Sequence, residues 1–187
     1  GTYLVTISAE SLDSFIPKLY AGHTDSCLIK YYAYKLNNTI IANDFFQHFN
    51  ALTDVYLLNT TQINSDAFSN CSNLSNIYLP ISLTNIGPNA FNGCASLSSI
   101  ILPPSLNEVG NFAFSSCNNL TTVDLTRFVD YNQVPTCGSF PFENSATFYV
   151  KNEDMKDSFV YSDKGWIGYA EKFVVGEPPI NNLNLRR

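Results

Sequence analysis

The hydrophobic pattern of this chain repeats every 23 residues between Ala67 and Leu125. Each copy reads Ala-Phe-x-x-Cys-x-x-Leu-x-x-(Ile/Val)-x-Leu, and three copies follow one another without a gap, beginning at Ala67, Ala90 and Ala113. A strict period of this length is typical of a solenoid, because each turn buries its apolar face only by stacking on the next turn. The pattern therefore predicts a stacked repeat for the middle of the chain.

Each repeat contains two short stretches with strand-like alternation. In the first full repeat, Ile77 lies between Asn76 and Tyr78, so it points to the opposite side from its neighbours. A second stretch ends just before Gly87, and its counterpart in the next repeat ends before Gly110. Glycine at a corner favours either a positive φ or a close approach of two backbones. Two short strands per turn are predicted.

The phenylalanine of each repeat is predicted to fill the middle of the coil. Phe68, Phe91 and Phe114 recur in phase, and an aromatic side chain buries roughly 150 to 250 Å². A column of such rings is therefore expected to be a main source of stability.

The block Asn43–Asn50 is a degenerate copy of the repeat. A shift of 22 residues places Phe46 on Phe68, and terminal repeats are expected to be atypical. The spacing of Phe45, Phe46 and Phe49 also predicts one helical face in this block.

The flanking segments predict a cap at each end of the solenoid. A helix is predicted over Ser8–Tyr20 and a strand over Cys27–Leu36. Beyond the repeats, Thr147–Val150 reads as a strand, Asn152 caps a short helix, and Lys164–Phe173 forms a second amphipathic piece that covers exposed strand edges. The predicted division is 1–42 for the N-terminal cap, 43–125 for the repeats, 126–175 for the C-terminal cap and 176–187 for a tail or linker, together one structural domain.

Composition narrows the classes of partner. The chain has 187 residues, of which 45% are hydrophobic, so it can bury a core of its own. Its net charge of −6 repels phosphate backbones, which predicts no nucleic-acid partner. No apolar run is long enough to cross a bilayer, so no membrane span is predicted.

The repeats resemble a known family. The units LSNIYLPISLTNIGPNAFNGC and LSSIILPPSLNEVGNFAFSSC are similar to the BspA-like leucine-rich repeats of surface and secreted proteins from Bacteroides and related bacteria. The segment FYVKNEDMKDSFVYSDKGWIGYAEKF is similar to the closing segment of such proteins. The resemblance implies an α/β repeat fold, a leucine-rich-repeat solenoid with short parallel strands, turns or short helical pieces, and capping segments at both ends.

The same resemblance implies an extracytoplasmic place and an adhesive role. It suggests a cell-surface, secreted or lipoprotein location, and a protein partner such as a host extracellular-matrix or cell-surface protein. Because Gly1 directly precedes a strand-like stretch, a signal segment is expected to have been removed. The alternatives are an enzyme or accessory domain of glycan metabolism, and a structural spacer that has no ligand of its own.

The pattern of the cysteines predicts a role in core packing. Three of the five recur in phase, so successive turns place them roughly 5 Å apart, and a metal array, a redox array or a disulfide between adjacent turns is geometrically conceivable. No C-x-x-C occurs, and no histidine or carboxylate shares their phase. Free buried thiols are therefore predicted, with no metal and no cofactor, for Cys71, Cys94 and Cys117 as well as Cys27 and Cys137.

No catalytic residues are predicted. A histidine that acts as a general base needs a nucleophile, and the sequence contains no nucleophile elbow for either His23 or His48. Asp54 and Asp124 lie on outward strand positions three rungs apart, whereas the two acids of a glycosidase must lie roughly 5 to 10 Å apart. The prediction is a protein that is not an enzyme.

The outward face of the strand ladder is the best candidate for binding. Tyrosine is favoured at interfaces because it buries a large area at low entropic cost. A solvated face without a ligand is the competing interpretation. The candidate protein-binding residues are Asp54, Tyr56, Asn76, Tyr78, Ser99, Ile101, Thr122 and Asp124.

Overall fold

The chain winds into a solenoid whose turns contribute short strands to two different sides. The structure is a computed structural model that describes residues 40–143 and 145–179, together with the backbone of the strands at 3–6 and 29–32. All strand pairings in these residues are parallel. The predicted leucine-rich-repeat architecture is confirmed.

The strands are two to five residues long. Within the described residues, one α-helix, α1 (Glu153–Val160), and two 3-10 helices, Tyr131–Gln133 and Trp166–Lys172, accompany them. In chain order the strands are β1 (Tyr3–Thr6), β2 (Ile29–Tyr32), β3 (Ile40–Ile41), β4 (Leu52–Tyr56), β5 (Gln62–Ile63), β6 (Asn76–Tyr78), β7 (Asn85–Ile86), β8 (Ser99–Ile101), β9 (Glu108–Val109), β10 (Thr122–Asp124), β11 (Thr136–Cys137), β12 (Thr147–Val150) and β13 (Phe173–Val175).

The strands that the structure describes form three sheets on the two sides of the solenoid. One side carries two four-stranded sheets, with orders β1-β2-β4-β6 and β8-β10-β12-β13. The other side carries a single five-stranded sheet, β3-β5-β7-β9-β11. Strands β6 and β8 belong to successive turns but to different sheets. We call this interruption, between Asn76–Tyr78 and Ser99–Ile101, the seam.

A column of stacked phenylalanine rings runs through the middle of the coil, as predicted. Phe46, Phe68, Phe91, Phe114 and Phe142 stack with successive centroid distances of 5.0, 5.1, 5.1 and 5.0 Å. The ring planes are within 14° of parallel throughout. The column therefore extends by one ring on each side of the three regular repeats.

Backbone hydrogen bonds between turns support the column. The amide of Phe68 donates to the carbonyl of Ala90 at 2.8 Å, and the amide of Phe91 donates to that of Ala113 at 2.8 Å. Alternate amides pair with the next turn, and amides between them pair within their own turn, as that of Ser69 does with the carbonyl of Asp66. The buried backbone is therefore satisfied without an α-helix.

The helix predicted within residues 43–50 is wrong, because this block forms consecutive turns. Its alternate amides bond to the next turn of the solenoid, as those of Phe46 and His48 do with the carbonyls of Ala67 and Ser69. An amide that is used in this way cannot also pair with the carbonyl four residues earlier. The predicted alignment of Phe46 on Phe68 is nevertheless confirmed by their stacked rings.

The corner glycines serve close backbone approach. Gly87 and Gly110 do not have positive φ values. A Cβ atom added to Gly110 would lie 2.6 Å from the carbonyl carbon of Gly87. The sequence allowed either a positive φ or a close approach of two backbones at this corner. The close approach of successive turns is the reason that applies.

An aromatic cluster closes the C-terminal end. Helix α1 begins as predicted, since Oδ1 of Asn152 accepts a hydrogen bond from the amide of Met155 at 2.9 Å. Trp166 is fully buried, and its indole N–H donates to the carbonyl of Pro135 at 2.8 Å. The rings that surround Trp166 are those of Phe142, Phe148, Phe159, Tyr169 and Phe173.

Some predictions fall outside the described residues. The helix predicted at Ser8–Tyr20 lies there, as do Cys27, His23 and the last eight residues of the tail, 180–187. The predicted strand over Cys27–Leu36 contains β2. The domain division remains a prediction, although β2 and β12 extend the strand ladder beyond residues 43–125.

Replacing the central ring is expected to be costly. We expect Phe91→Ala to lower the free energy of unfolding by roughly 3 to 5 kcal/mol, because a buried ring is replaced by a cavity. Urea denaturation measures this. Ile167→Ala, at a side chain that is 65% exposed, is the control and should change stability by less than about 0.5 kcal/mol. A loss below about 1 kcal/mol for Phe91→Ala would contradict a core built on the column.

Thr60 is a polar side chain at an apolar position. It lies three positions before the inward isoleucine of its turn, where the next two turns have Leu83 and Leu106. Its exposure is only 1%, and within the described part of the chain its hydroxyl has no hydrogen-bond partner. A buried hydroxyl without a partner destabilises the folded state.

We therefore expect Thr60→Val to raise the free energy of unfolding by about 1 to 2 kcal/mol. The matched control is Thr84→Val, because Oγ1 of Thr84 donates to the carbonyl of Thr61 at 2.9 Å. That substitution should lower stability by about 1 kcal/mol. Chemical denaturation of both variants distinguishes the two sites, and a destabilised Thr60→Val protein would show that its hydroxyl is satisfied.

Candidate functional site

The eight candidate face residues lie on the outer side of four successive strands. In register, Asp54 pairs with Asn76 and Tyr56 with Tyr78 across β4 and β6. The other four pair across β8 and β10, Ser99 with Thr122 and Ile101 with Asp124. All eight are half-buried, whereas the inward residues between them are buried. The structure thus brings the predicted residues into two groups of four, one on each side of the seam.

The two tyrosines of the face are stacked. The rings of Tyr56 and Tyr78 lie 4.1 Å apart with an interplanar angle of 17°. Tyr149 on β12 continues the same column, in register with Asp124. The repeat does not predict Tyr149 as a face residue, because its distance of 25 residues from Asp124 departs from the period of 23.

The carboxylates of the face are already engaged. The two oxygens of Asp54 accept from Oγ1 of Thr53 at 2.6 Å and from Nδ2 of Asn76 at 3.0 Å. Oδ1 of Asp124 accepts from both the amide and the hydroxyl of Thr126, at 2.8 and 2.7 Å. The two acids lie on different sheets. Among the eight face residues, this arrangement provides no pair of acids of the kind that glycoside hydrolysis requires.

A cavity of about 450 Å³ opens on the face at the seam. This volume lies within the range of small-ligand sites, about 300 to 1,000 Å³. Three predicted face residues line it, namely Tyr56, Tyr78 and Ile101. The lining residues that the sequence analysis missed are Leu57, Leu58, Ile77, Leu79, Pro80, Ile81 and Arg127.

The backbone at the seam departs from the pattern of the neighbouring turns. In the neighbouring turns, the amide of the leucine that follows the inward strand residue donates to a carbonyl of the next turn. Leu57 donates to Tyr78 at 3.1 Å, and Leu102 donates to Asp124 at 3.1 Å. Among residues 40–143 and 145–179, the amide of Leu79 makes no such bond to Ile101. Leu79 is also half-buried, whereas Leu57 and Leu102 are buried.

The stacked cysteines are structural. Their thiols donate to backbone carbonyls of the preceding turn, Cys71 to Phe46 at 3.0 Å and Cys94 to Phe68 at 3.3 Å, and Cys117 does the same. Burial raises the pKa of Cys71 to about 12. The neighbouring Cys117 thiol, together with burial, also raises the pKa of Cys94. The four described cysteines are free thiols, and Cys71, Cys94 and Cys117 are buried.

The described residues offer few other candidates for a catalytic or metal site. His48 is exposed at a turn position with φ 61°. No group of three or more histidine, cysteine or acidic side chains suited to a metal ion occurs in the part of the chain that the structure describes. No helix within those residues is both long and apolar enough to cross a membrane.

A second exposed feature lies at another corner of the solenoid. Phe112 and Phe140 have φ values of 55° and 47°, although bulky residues rarely adopt this conformation. They are 42% and 73% exposed, and their rings lie 6.4 Å apart. The preceding turns have Asp66 and Asn89 at the corresponding positive-φ position. The sequence does not predict this pair, because phenylalanine is not a residue type that indicates a left-handed backbone conformation.

Comparison with known families identifies the class. The family model described as BspA type leucine rich repeat region matches residues 26–158 in six copies. The chain belongs to this family of repeat proteins, whose repeats are protein-interaction modules and are generally not enzymes. A comparison with curated proteins gives no match.

Several solved structures are similar in part. A leucine-rich-repeat protein of T. pallidum is 22% identical, with a TM-score of 0.42 over 61% of this chain and 68% of that one. The pneumococcal vaccine antigen PcpA is 18% identical, with a TM-score of 0.46 over 75% of this chain and 40% of that one. A leucine-rich-repeat protein of Bacteroides ovatus is 20% identical, with a TM-score of 0.32 over 64% and 45%. This chain therefore covers less than half the length of the pneumococcal antigen and of the Bacteroides ovatus protein.

The raised thiol pKa values predict a loss of stability in alkali. The pKa of Cys71 is raised from 9.0 to about 12 in the folded state. Above pH 9 the unfolded chain ionises this thiol while the folded chain keeps it neutral, so the free energy of unfolding should fall between about pH 9 and 12. Urea denaturation over a pH series measures the slope. Cys71→Ala should make the decline shallower, and an unchanged slope would contradict the assignment.

Proposed function

We propose that the chain is an extracytoplasmic adhesion module that presents the outer strand face to a protein partner, such as a host extracellular-matrix or cell-surface protein. The observation that carries this proposal is the stacked pair Tyr56 and Tyr78, which is half-exposed on the face and lines the cavity at the seam. Two stacked rings offer a partner a rigid apolar surface with hydroxyl groups at its edge.

The rest of the face has the composition of an interface rim. Asn76, Ser99 and Thr122 provide uncharged hydrogen-bonding groups beside the tyrosines. The carboxylate of Asp54 is held in place by Thr53 and Asn76, so that presenting it costs little further entropy. A polar rim around an aromatic centre is the usual organisation of a protein-binding surface.

Family membership supports an extracytoplasmic location. BspA-type repeats are typical of surface and secreted proteins, and the abundance of uncharged polar side chains on the face suits contact with another protein more than contact with nucleic acid.

Substitution of the tyrosines tests the proposal. We expect Tyr56→Ala and Tyr78→Ala each to weaken, at least tenfold, the binding of whichever matrix protein the unmodified chain binds. Aromatic anchors dominate the affinity of a protein interface. Surface plasmon resonance with immobilised collagen, laminin, fibronectin and fibrinogen provides the measurement. The control variant is Tyr161→Ala, since Tyr161 is 77% exposed at the end of α1.

The three variants separate the possible outcomes. Loss of binding by the two face variants, with Tyr161→Ala unchanged, supports the strand face as the interaction surface. If a matrix protein binds and all three variants retain full affinity, the tyrosine column is not the site. If none of the four proteins binds the unmodified chain, the adhesive assignment to matrix fails and the spacer interpretation is favoured.

A further inference from the structure

We propose that the seam cavity binds an extended peptide segment in which an aliphatic side chain is followed two residues later by an acidic side chain. This inference rests on the proposed function, because it specifies what the strand face recognises in its partner. The cavity, the unpaired backbone beside it and a single cation at its rim support it independently.

The first support is the backbone at the seam. In the neighbouring turns, the amide of the repeat leucine and the carbonyl one turn further on bond to each other, as with Leu57 and Leu102. Within the described residues, the corresponding amide of Leu79 and carbonyl of Ile101 do not form this bond, although both residues line the cavity. A ligand peptide group at the seam thus has one donor and one acceptor available, the amide of Leu79 after β6 and the carbonyl of Ile101 on β8.

The second support is the apolar wall of the cavity. Leu58 and Ile81 are 47% and 77% exposed, and both line it together with Pro80 and Ile101. The stacked rings of Tyr56 and Tyr78 form a further part of the lining. A volume of about 450 Å³ accommodates an aliphatic side chain together with part of its backbone.

The third support is charge. Arg127 is the one charged residue among those that line the cavity, and it is exposed. Within the described part of the chain it makes no ion pair or side-chain hydrogen bond. Guanidinium groups favour carboxylates because they can donate two parallel hydrogen bonds. A carboxylate on the ligand therefore complements this rim.

The spacing of the ligand follows from strand geometry. Successive side chains of an extended peptide point to opposite faces, so the nearest two side chains that meet the same surface are two residues apart. Because Arg127 lines the same cavity as the apolar residues, an aliphatic side chain in the cavity and a carboxylate at Arg127 fit the pattern of aliphatic, any residue, then Asp or Glu. An internal acidic residue supplies the charge in this arrangement.

NMR titration with short peptides that have blocked ends tests the inference. The probe is acetyl-Thr-Leu-Thr-Glu-Thr-amide, compared with its Glu→Gln form and with acetyl-Thr-Leu-Glu-Thr-Thr-amide, in which the two side chains point to opposite faces. We expect chemical-shift changes at the amides of Leu79 and Ile101, and a Kd for the first peptide that is about threefold to tenfold lower than for either of the others.

Two variants locate the charge effect. Arg127→Gln should raise the Kd of the glutamate peptide to that of the glutamine peptide and leave the Kd of the glutamine peptide unchanged. Lys151→Gln, at an exposed cation on the residue after β12, is the matched control and should change neither. An equal Kd for the glutamate and glutamine peptides, or a preference that survives Arg127→Gln, would overturn the inference. So would the absence of shifts at Leu79 and Ile101 with all three peptides.

The peptide titration uses no partner protein, so its outcome is separate from that of the tyrosine substitutions. If the peptides fail and Tyr56→Ala still abolishes binding to a matrix protein, the face is the site but the acidic-peptide specificity is wrong. If the peptides bind as expected while matrix binding is unaffected by the tyrosine variants, the cavity is a peptide site and the adhesive function is wrong.

Discussion

The stacking distance between successive phenylalanine rings sets the dimensions of this solenoid. Ring centroids about 5 Å apart, from Phe46 to Phe142, match the spacing between neighbouring strands of a sheet. Side chains and backbone thus share one repeat distance, which allows amides such as that of Phe91 to bond to the next turn. The same distance requires glycine at positions such as Gly110, where a Cβ would collide with the turn before.

The continuity of this core allows the outer face to be irregular. The five-stranded sheet on the second side and the phenylalanine column both run across the position where the strand face is interrupted. Separation of β6 from β8 therefore opens a cavity at the surface and leaves the column intact. Repeat proteins derive stability from the contacts between neighbouring turns, so a local loss on one side can be offset by the contacts on the other.

Much of the core could be predicted from the sequence, because the residues that build it recur in phase. Phe68, Phe91 and Phe114 and the outward position of Tyr56 and Tyr78 follow from periodicity alone. The seam could not be predicted, because Leu79 occupies the same position in the repeat as Leu102, and its different burial depends on how two turns pack. Arg127 was missed because it lies outside the repeat pattern. The helix predicted at residues 43–50 failed because bonds between turns compete with bonds along the chain.

Amide hydrogen exchange tests most directly whether an uninterrupted core carries an interrupted face. The amides of Phe68 and Phe91, which bond to the next turn, should exchange slowly and at similar rates, since both open only when the stack opens. The amide of Leu79 should exchange orders of magnitude faster than those of Leu57 and Leu102, which have the bond that it lacks. Equal protection of Leu57, Leu79 and Leu102 would contradict the seam, and rapid exchange at Phe91 would contradict the continuous core.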